Sequence, residues 1–289
     1  MNSQIKLPDY LSNENWLKRV LIAEKKRRGL PKSSLVFIGM HNLSQFWWCG
    51  KYSVLKSKQN ELIFFASYIA DRVTYALHKG YISKIPKKHL DILKVGDELT
   101  FSDIEQLHKK KILTAKKPTS SEQLAQKELI EIQKDLNDTI FDGDKDRFQN
   151  KYESGLENES LYAEKYPRFR WNFPYSNYVI VGIPDGITKK FVYEFKSTNS
   201  QYLFFFIKPI AFVQGNLYGY FFNKRKKRVQ IYIVEKDTLK TFETSVDKDS
   251  VKETLEKFES VDKGYKPKLP AKWKCKKCEY KDVCDICQS

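Results

Sequence analysis

Two carboxylates and an ammonium stand close together past the middle of the chain. Asp185 closes the run Gly182-Ile183-Pro184-Asp185, and after eight residues comes Glu194-Phe195-Lys196. In a strand, the period of two puts Glu194 and Lys196 on one face and turns Tyr193 and Phe195 the other way, into apolar packing. A hairpin between NYVIVGI and KFVYEFK would return Asp185 to the side of Glu194. Carboxylate oxygens gathered at a strand end suit a hard divalent cation, Mg2+ or Mn2+, that offsets charge and activates water. A neighbouring lysine can orient that water, help to deprotonate it and stabilise a pentacovalent transition state. This is the equipment that phosphodiester hydrolysis needs. Glu-x-Lys alone is more often a salt bridge on an exposed strand.

The cysteines form a second constellation. Cys275, Cys278, Cys284 and Cys287 fall within thirteen residues, and Cys49 stands far upstream. An odd count with this spacing argues against a secreted disulfide framework and for a metal site in a reducing cytoplasm. Thiolates favour zinc or an iron–sulfur cluster over Mg2+. Two arrangements compete. In one, Cys49 joins Cys275, Cys278 and Cys284 around a 4Fe–4S cluster. In the other, Cys287 completes a local four-cysteine zinc knuckle and Cys49 is free.

The elements that must position these groups can be read from patterning. Residues 1–45 read as a mostly helical, basic leading segment. Phe65, Ile69, Val73, Ala76 and Leu77 recur at helical spacing within 61–79, and Gly80 is a candidate stop. Residues 84–165 are rich in Lys, Glu, Asp and Gln and read as an insertion. In it Ser120 and Gln123 make a capping box ahead of the stripe Ala125, Leu129, Ile132 and Leu136, and 142–160 is turn-rich. RFRWNF, NYVIVGI, KFVYEFK and VQIYIVE read as strands, 210–222 as a helix with Pro209 near its first turn, and 248–260 as an amphipathic helix. The expected organisation is thus 1–83, a helical segment with the first cysteine; 84–165, an insertion; 166–246, the core; and 247–289, a helix and cysteine knuckle. Leu203–Phe222 is long enough to span a bilayer, but Lys208, Pro209, Gln214 and Asn216 interrupt it, so a buried core helix is expected and no membrane partner.

The chain has 289 residues, 41% hydrophobic and 14% aromatic, enough for a sizeable core. Its net charge of +16 favours a polyanionic partner, nucleic acid first. Lys224-Arg225-Lys226-Lys227-Arg228 follows the 210–222 helix and is a candidate phosphate contact; a solvated turn reads equally well.

Taken together, Pro184-Asp185, Glu194-Phe195-Lys196 and, on the following helix, Gln214 and Tyr218 resemble the PD-(D/E)XK nuclease signature with the Gln-x-x-x-Tyr motif of its RecB branch. With Cys49 ahead of this region and Cys275, Cys278 and Cys284 behind it, the resemblance narrows to the CRISPR-associated RecB-type exonucleases, the Cas-four family. It runs from about Phe46 to Cys284, interrupted by 84–165, and Cys287 departs from it. It implies an α/β fold with a restriction-endonuclease-like core: a mixed β-sheet flanked by helices, here with a helical insertion and a C-terminal cysteine knuckle. It implies cleavage of DNA, single-stranded or from ends, with Mg2+ or Mn2+, beside CRISPR integrase proteins or in viral or archaeal DNA recombination and repair. Asp185 and Glu194 would bind the metal, with the Phe195 carbonyl and an upstream histidine. His78 fits that place better than His41, His89 or His108, and Glu157 or Glu159 could substitute. Lys196 would position the attacking water. Gln214 and Tyr218 would hold DNA, with Lys224, Arg225, Lys227 and Arg228 behind them. The rival class is a non-catalytic DNA-binding or assembly factor with a structural zinc knuckle.

Overall fold

The computed structural model describes residues 16–82, 145–166, 171–188, 190–276 and 278–288. They form helices around two small mixed sheets, the α/β class expected. In chain order come α1 (Trp16–Arg27), β1 (Phe37–Gly39), the short α2 (Met40–Ser44), a 3-10 turn at Gln45–Trp47, α3 (Gly50–Ile82), α4 (Lys145–Tyr162), β2 (Trp171–Tyr175), β3 (Tyr178–Gly182), β4 (Gly186–Ile187), β5 (Phe191–Thr198), α5 (Gln201–Phe221), β6 (Lys226–Ile233), β7 (Thr238–Ser245), α6 (Lys248–Asp262) and α7 (Lys272–Lys276).

The first sheet has the order β1-β3-β2 and the second β4-β5-β6-β7. In the first, β1 runs parallel to β3, with Gly39 opposite Val181, and β2 pairs antiparallel with β3. In the second, β5 and β6 are parallel, and β4 and β7 are antiparallel edges. The expected hairpin is therefore corrected. NYVIVGI pairs with β2 and β1, and only the two residues Gly186 and Ile187 turn back onto Val192 and Tyr193. The chain changes sheets at Ile183-Pro184-Asp185, so Asp185 still arrives beside β5.

The second sheet is covered on both faces. Phe204 and Ala211 of α5 pack on Val229, Ile231 and Ile233. On the reverse face Phe191, Tyr193, Phe195 and Tyr232 pack with Ala163 and Tyr166, which follow α4. The inward-and-outward alternation expected of Glu194 and Phe195 is thus present. A larger cluster combines Ile38, Leu43, Ile180, Val192, Leu217 and Phe258. Residues from 1–83, 166–246 and 247–289 therefore share one core.

Several helix limits differ from the sequence reading. The helix carrying Pro209 begins at Gln201, because Ser200 caps it by accepting the Leu203 amide at 3.3 Å. Proline then sits inside the helix, where tertiary packing outweighs the lost backbone bond. α5 is apolar nearly all round because it is buried on several sides. Among the described residues no helix is long and apolar enough to cross a membrane. α3 starts at Gly50 and passes through Gly80. The charged stretch expected to be turns is largely helical from Lys145, since Lys, Glu and Gln are good helix formers. α6 matches its expectation, burying Val251, Leu255, Phe258 and Val261 behind an Asp247 cap. The capping box at Ser120, its stripe, His89 and His108 lie outside the described residues.

Candidate active site

β1 and β3 are parallel and end nearly in register, so the segments that follow them emerge at one end of the sheet. After β1 comes His41, on α2; after β3 comes Asp185. β5 adds Glu194 and Lys196 from the next sheet. The fold so collects two carboxylates, an ammonium and an imidazole from the segments that follow two strands and from the body of a third.

Asp185 is held by its Oδ2, which accepts the Phe195 amide at 2.8 Å. In a strand the N–H and C=O of one residue point to the same side. The Phe195 carbonyl therefore faces the edge where Asp185 sits. Glu194 is buried, 1% exposed, and forms an ion pair with Lys196. Burial alone would lower the Lys196 pKa, but the charges of Glu194 and Asp185 outweigh it and hold the ammonium above its usual value.

His41 is the imidazole beside this group. It is exposed, yet dense surroundings and the Lys196 ammonium disfavour its protonation and hold its pKa at about 4. It is therefore neutral near pH 7, the form that ligates metals. Its ring meets Phe64 edge-on at 5.9 Å. His78 stands fourteen residues further along α3 than Phe64, about 21 Å along the axis, and its side chain lies outside the described residues. Glu157 and Glu159 belong to α4, whose end packs on the reverse, Phe195 face of the sheet. The sequence reading placed His41 behind His78 because β1, three residues long, leaves no alternation to find. The signal available was the apolar run Leu35-Val36-Phe37-Ile38 just ahead of it.

Gln214 and Tyr218 do reach the site, but from behind. Both are buried, so they have no face to offer DNA. Tyr218 donates its hydroxyl to the Ile183 carbonyl at 2.8 Å and accepts from the Gln214 amide at 3.0 Å. Gln214 in turn lies 3.5 Å from the Ser44 hydroxyl on α2. Burial first, then the Glu194 and Asp185 charges, push the Tyr218 pKa far up, so it keeps its proton and donates. The pair links the loop carrying Asp185 to the helix carrying His41. The expected DNA-holding role is corrected to a positioning one. Gly219 lets α5 come close: a Cβ there would stand 2.2 Å from a Val246 methyl.

The basic run is also divided. Lys227 is buried and bonded to Asn216 at 2.7 Å and to the Ser245 carbonyl. Arg228 bridges Glu164 at 2.6 Å and Glu243 at 2.9 Å. Both serve packing and are withdrawn as phosphate contacts. Arg225 is exposed and Lys224 half-buried. They precede β6 at the end opposite Phe191, about 13 Å along the strand from the level of Glu194.

All five cysteines line one small cavity with Trp48, Tyr52 and Tyr280. Cys49 therefore comes to the C-terminal knuckle despite its distance in sequence. Burial, together with the neighbouring Cys284, raises the pKa of Cys49, of Cys278 and of Cys287. A cation bound in this cavity would offset both penalties by pairing with the thiolates. The knuckle is docked on one face of α3. Lys51 pairs with Asp285 at 2.9 Å, Tyr52 donates to Glu279 at 2.9 Å, and Tyr280 bonds Gln59. Among the described residues, no three His, Cys, Asp or Glu side chains are already at metal-ligand spacing. The donor chemistry nonetheless fits two kinds of group: oxygen and imidazole donors for a hard divalent ion at Asp185, and thiols for a soft metal at the knuckle.

No protein-family model matches the chain, and no curated protein matches it. A solved structure described as "Crystal structure of SSO0001" is 19% identical, covering 57% of this chain and 76% of its own, with a TM-score of 0.33. A likeness of that size assigns neither a family nor a role.

Proposed function

We propose that the chain is a metal-dependent deoxyribonuclease with a restriction-endonuclease-like core of the RecB type, tied together by a cysteine-bound metal cluster. The observation that carries this reading is the meeting of Asp185, Glu194, Lys196 and His41 where the chain passes between the two sheets. A surface salt bridge would need neither the buried Glu194 nor the Tyr218–Ile183 bond that fixes the approach to Asp185.

In this reading Asp185, Glu194, the Phe195 carbonyl and His41 hold Mg2+ or Mn2+. The bound ion supplies Lewis-acid neutralisation of the phosphate and a more acidic water. Lys196 orients the attacking water and offsets charge building on the phosphate oxygens. Neutral His41 adds an imidazole donor without a competing proton. Tyr218 and Gln214 keep the Ile183–Asp185 loop in place. Cys49, Cys275, Cys278 and Cys284 would hold a 4Fe–4S cluster against the first turns of α3, where it would stabilise the fold. Single-stranded or ended DNA is the substrate proposed, in a reducing cytoplasm.

Purified protein with Mn2+ is expected to degrade labelled single-stranded DNA, and Asp185→Ala to lose at least about a hundredfold in rate, the scale expected when a metal ligand goes. Equal degradation by wild type and Asp185→Ala would overturn the assignment. Binding of DNA without any metal-dependent cleavage would favour the assembly-factor reading.

A further inference from the structure

The start of α5 presents rings that the fold leaves in the open. Tyr202 is 67% exposed, and Trp47 and Trp273, gathered around the Lys274 ammonium, are 44% and 39% exposed. The cluster is continuous. Ring centroids lie 5.2 Å apart for Tyr202 and Phe206, 5.5 Å for Phe206 and Trp273, and 5.2 Å for Trp273 and Trp48. Three separate segments supply it: the first turns of α5, the turn before Cys49, and α7. An open apolar cluster of this kind marks a contact surface.

Its surroundings say what makes the contact. From Lys263 to Cys278 the chain reads KGYKPKLPAKWKCKKC, with seven lysines and no acid. Lys266, Lys268, Lys272 and Lys276 are exposed. Lys274 sits among the rings, 4.2 Å from the Trp48 centroid, and donates to the Trp48 carbonyl at 2.9 Å. The occupant must therefore bring negative charge and flat apolar faces together. Single-stranded nucleic acid does both. A duplex hides its base faces, and an acidic peptide offers charge with few rings.

Short stretches of chain connect the patch to the candidate active site. β5 leads from Lys196 through Ser200 straight to Tyr202, and His41 is six residues ahead of Trp47. Phe206 precedes Gln214 by eight residues on α5, about 12 Å along the axis.

We propose that Tyr202, Phe206, Trp47 and Trp273, with Lys268 and Lys272, form a stacking track that receives single-stranded DNA beside the site. The track rests on the nuclease reading only for the purpose it serves; its binding is measurable without cleavage. The full chain, in EDTA, is titrated against a fluorescein-labelled oligothymidylate and followed by anisotropy. Tyr202→Ala and Trp273→Ala are each expected to weaken binding by about five- to a hundredfold, the size of one lost base stack. Tyr202→Phe and Trp273→Phe keep a ring and are expected to stay within about threefold of wild type. Lys268→Glu with Lys272→Glu should weaken binding and flatten its salt dependence by about 0.7 in slope per lost phosphate contact.

Alanine variants that melt like wild type yet bind within about twofold of it would overturn the proposal. So would no binding by wild type, or an oligomer that Tyr202→Ala dissociates with DNA affinity unchanged, since the patch would then be a contact between copies. The two readings fail separately. Cleavage by wild type with Mn2+, alongside ring-independent binding, removes the track alone. Ring-dependent binding without cleavage removes the nuclease alone.

Discussion

Tyr218 separates two jobs that the motif by itself leaves joined. A tyrosine that touches DNA should change affinity when its hydroxyl is removed. A buried tyrosine that donates to the Ile183 carbonyl should change the rate instead, because it fixes the loop ahead of Asp185. Tyr218→Phe is expected to lower the Mn2+-dependent turnover by about five- to tenfold, the equivalent of roughly one hydrogen bond. Affinity for single-stranded DNA in EDTA should stay within about twofold. A loss of affinity with turnover intact would return Tyr218 to the DNA. The imidazoles offer a sharper contrast. His41→Ala is expected to lose at least about tenfold in rate or in Mn2+ affinity, as a lost ligand would, and His78→Ala neither. Equal loss from both would contradict the geometry around Lys196. The shared face of Glu194 and Lys196 was legible in the sequence because it is local, one strand of alternating faces; Asp185 comes beside them by a change of sheet that the expected hairpin did not contain. The place of His41 was not legible, because nothing near it shows that β1 runs parallel to β3. Gln214 and Tyr218 were paired correctly on one helix face, but their burial was not legible, since helical spacing says which residues share a face and not whether that face is open.

The elements that deliver these residues depend on a buried ion pair with no trace in any motif. Glu61 of α3 binds Lys25 of α1 at 2.7 Å, and its other oxygen accepts the Val36 amide at 2.7 Å, just before β1. Lys25 also donates to the Lys32 carbonyl. Lys25 is 5% exposed and Glu61 8%, so removing the carboxylate strands a buried ammonium and a backbone donor together. Glu61→Ala is expected to cost about 3–5 kcal/mol in urea unfolding. Glu61→Gln keeps an acceptor for Val36 and should cost less. Because β1 carries the chain into His41, the same variant should lower Mn2+ affinity before it unfolds. A loss under about 1 kcal/mol would show the pair to be as weak as a surface one. The long periodic elements, α3, α6 and β5, were legible from spacing. Two failures have distinct causes. Pro209 hid the first turns of α5, because a proline reads as a start where packing in fact carries the helix past it. The strand β7 went unread because TLKTFETS puts one apolar residue on each face, Leu239 on one and Phe242 on the other, too few to show an alternation.

At the scale of the molecule, the cysteines join the beginning of the described fold to its end. Cys49 and Cys275 are 226 residues apart, yet both line the cavity with Cys278, Cys284 and Cys287. A cross-link that closes so long a loop restricts the unfolded chain strongly, on the order of 5 kcal/mol by chain entropy alone. A purely local four-cysteine knuckle would close only thirteen residues and leave the N-terminal half tied by side-chain contacts such as Lys51–Asp285. The spacing of the cysteines made a shared site legible; which of them would serve as ligands was not, because five sulfurs line the cavity where a metal takes four. Substitution and metal analysis decide it. The purified protein is expected to be brown, with about four irons per chain and absorbance near 400 nm. Cys49→Ser should lose iron and lower the melting temperature, while Cys287→Ser should keep both. Iron removal from wild type should reproduce the Cys49→Ser melting temperature, because the same long loop is reopened. The reverse pattern, a colourless zinc protein that survives Cys49→Ser and fails on Cys287→Ser, would make the knuckle local. The place of Cys49 in the cavity beside Cys284 and Cys275 would then be packing alone.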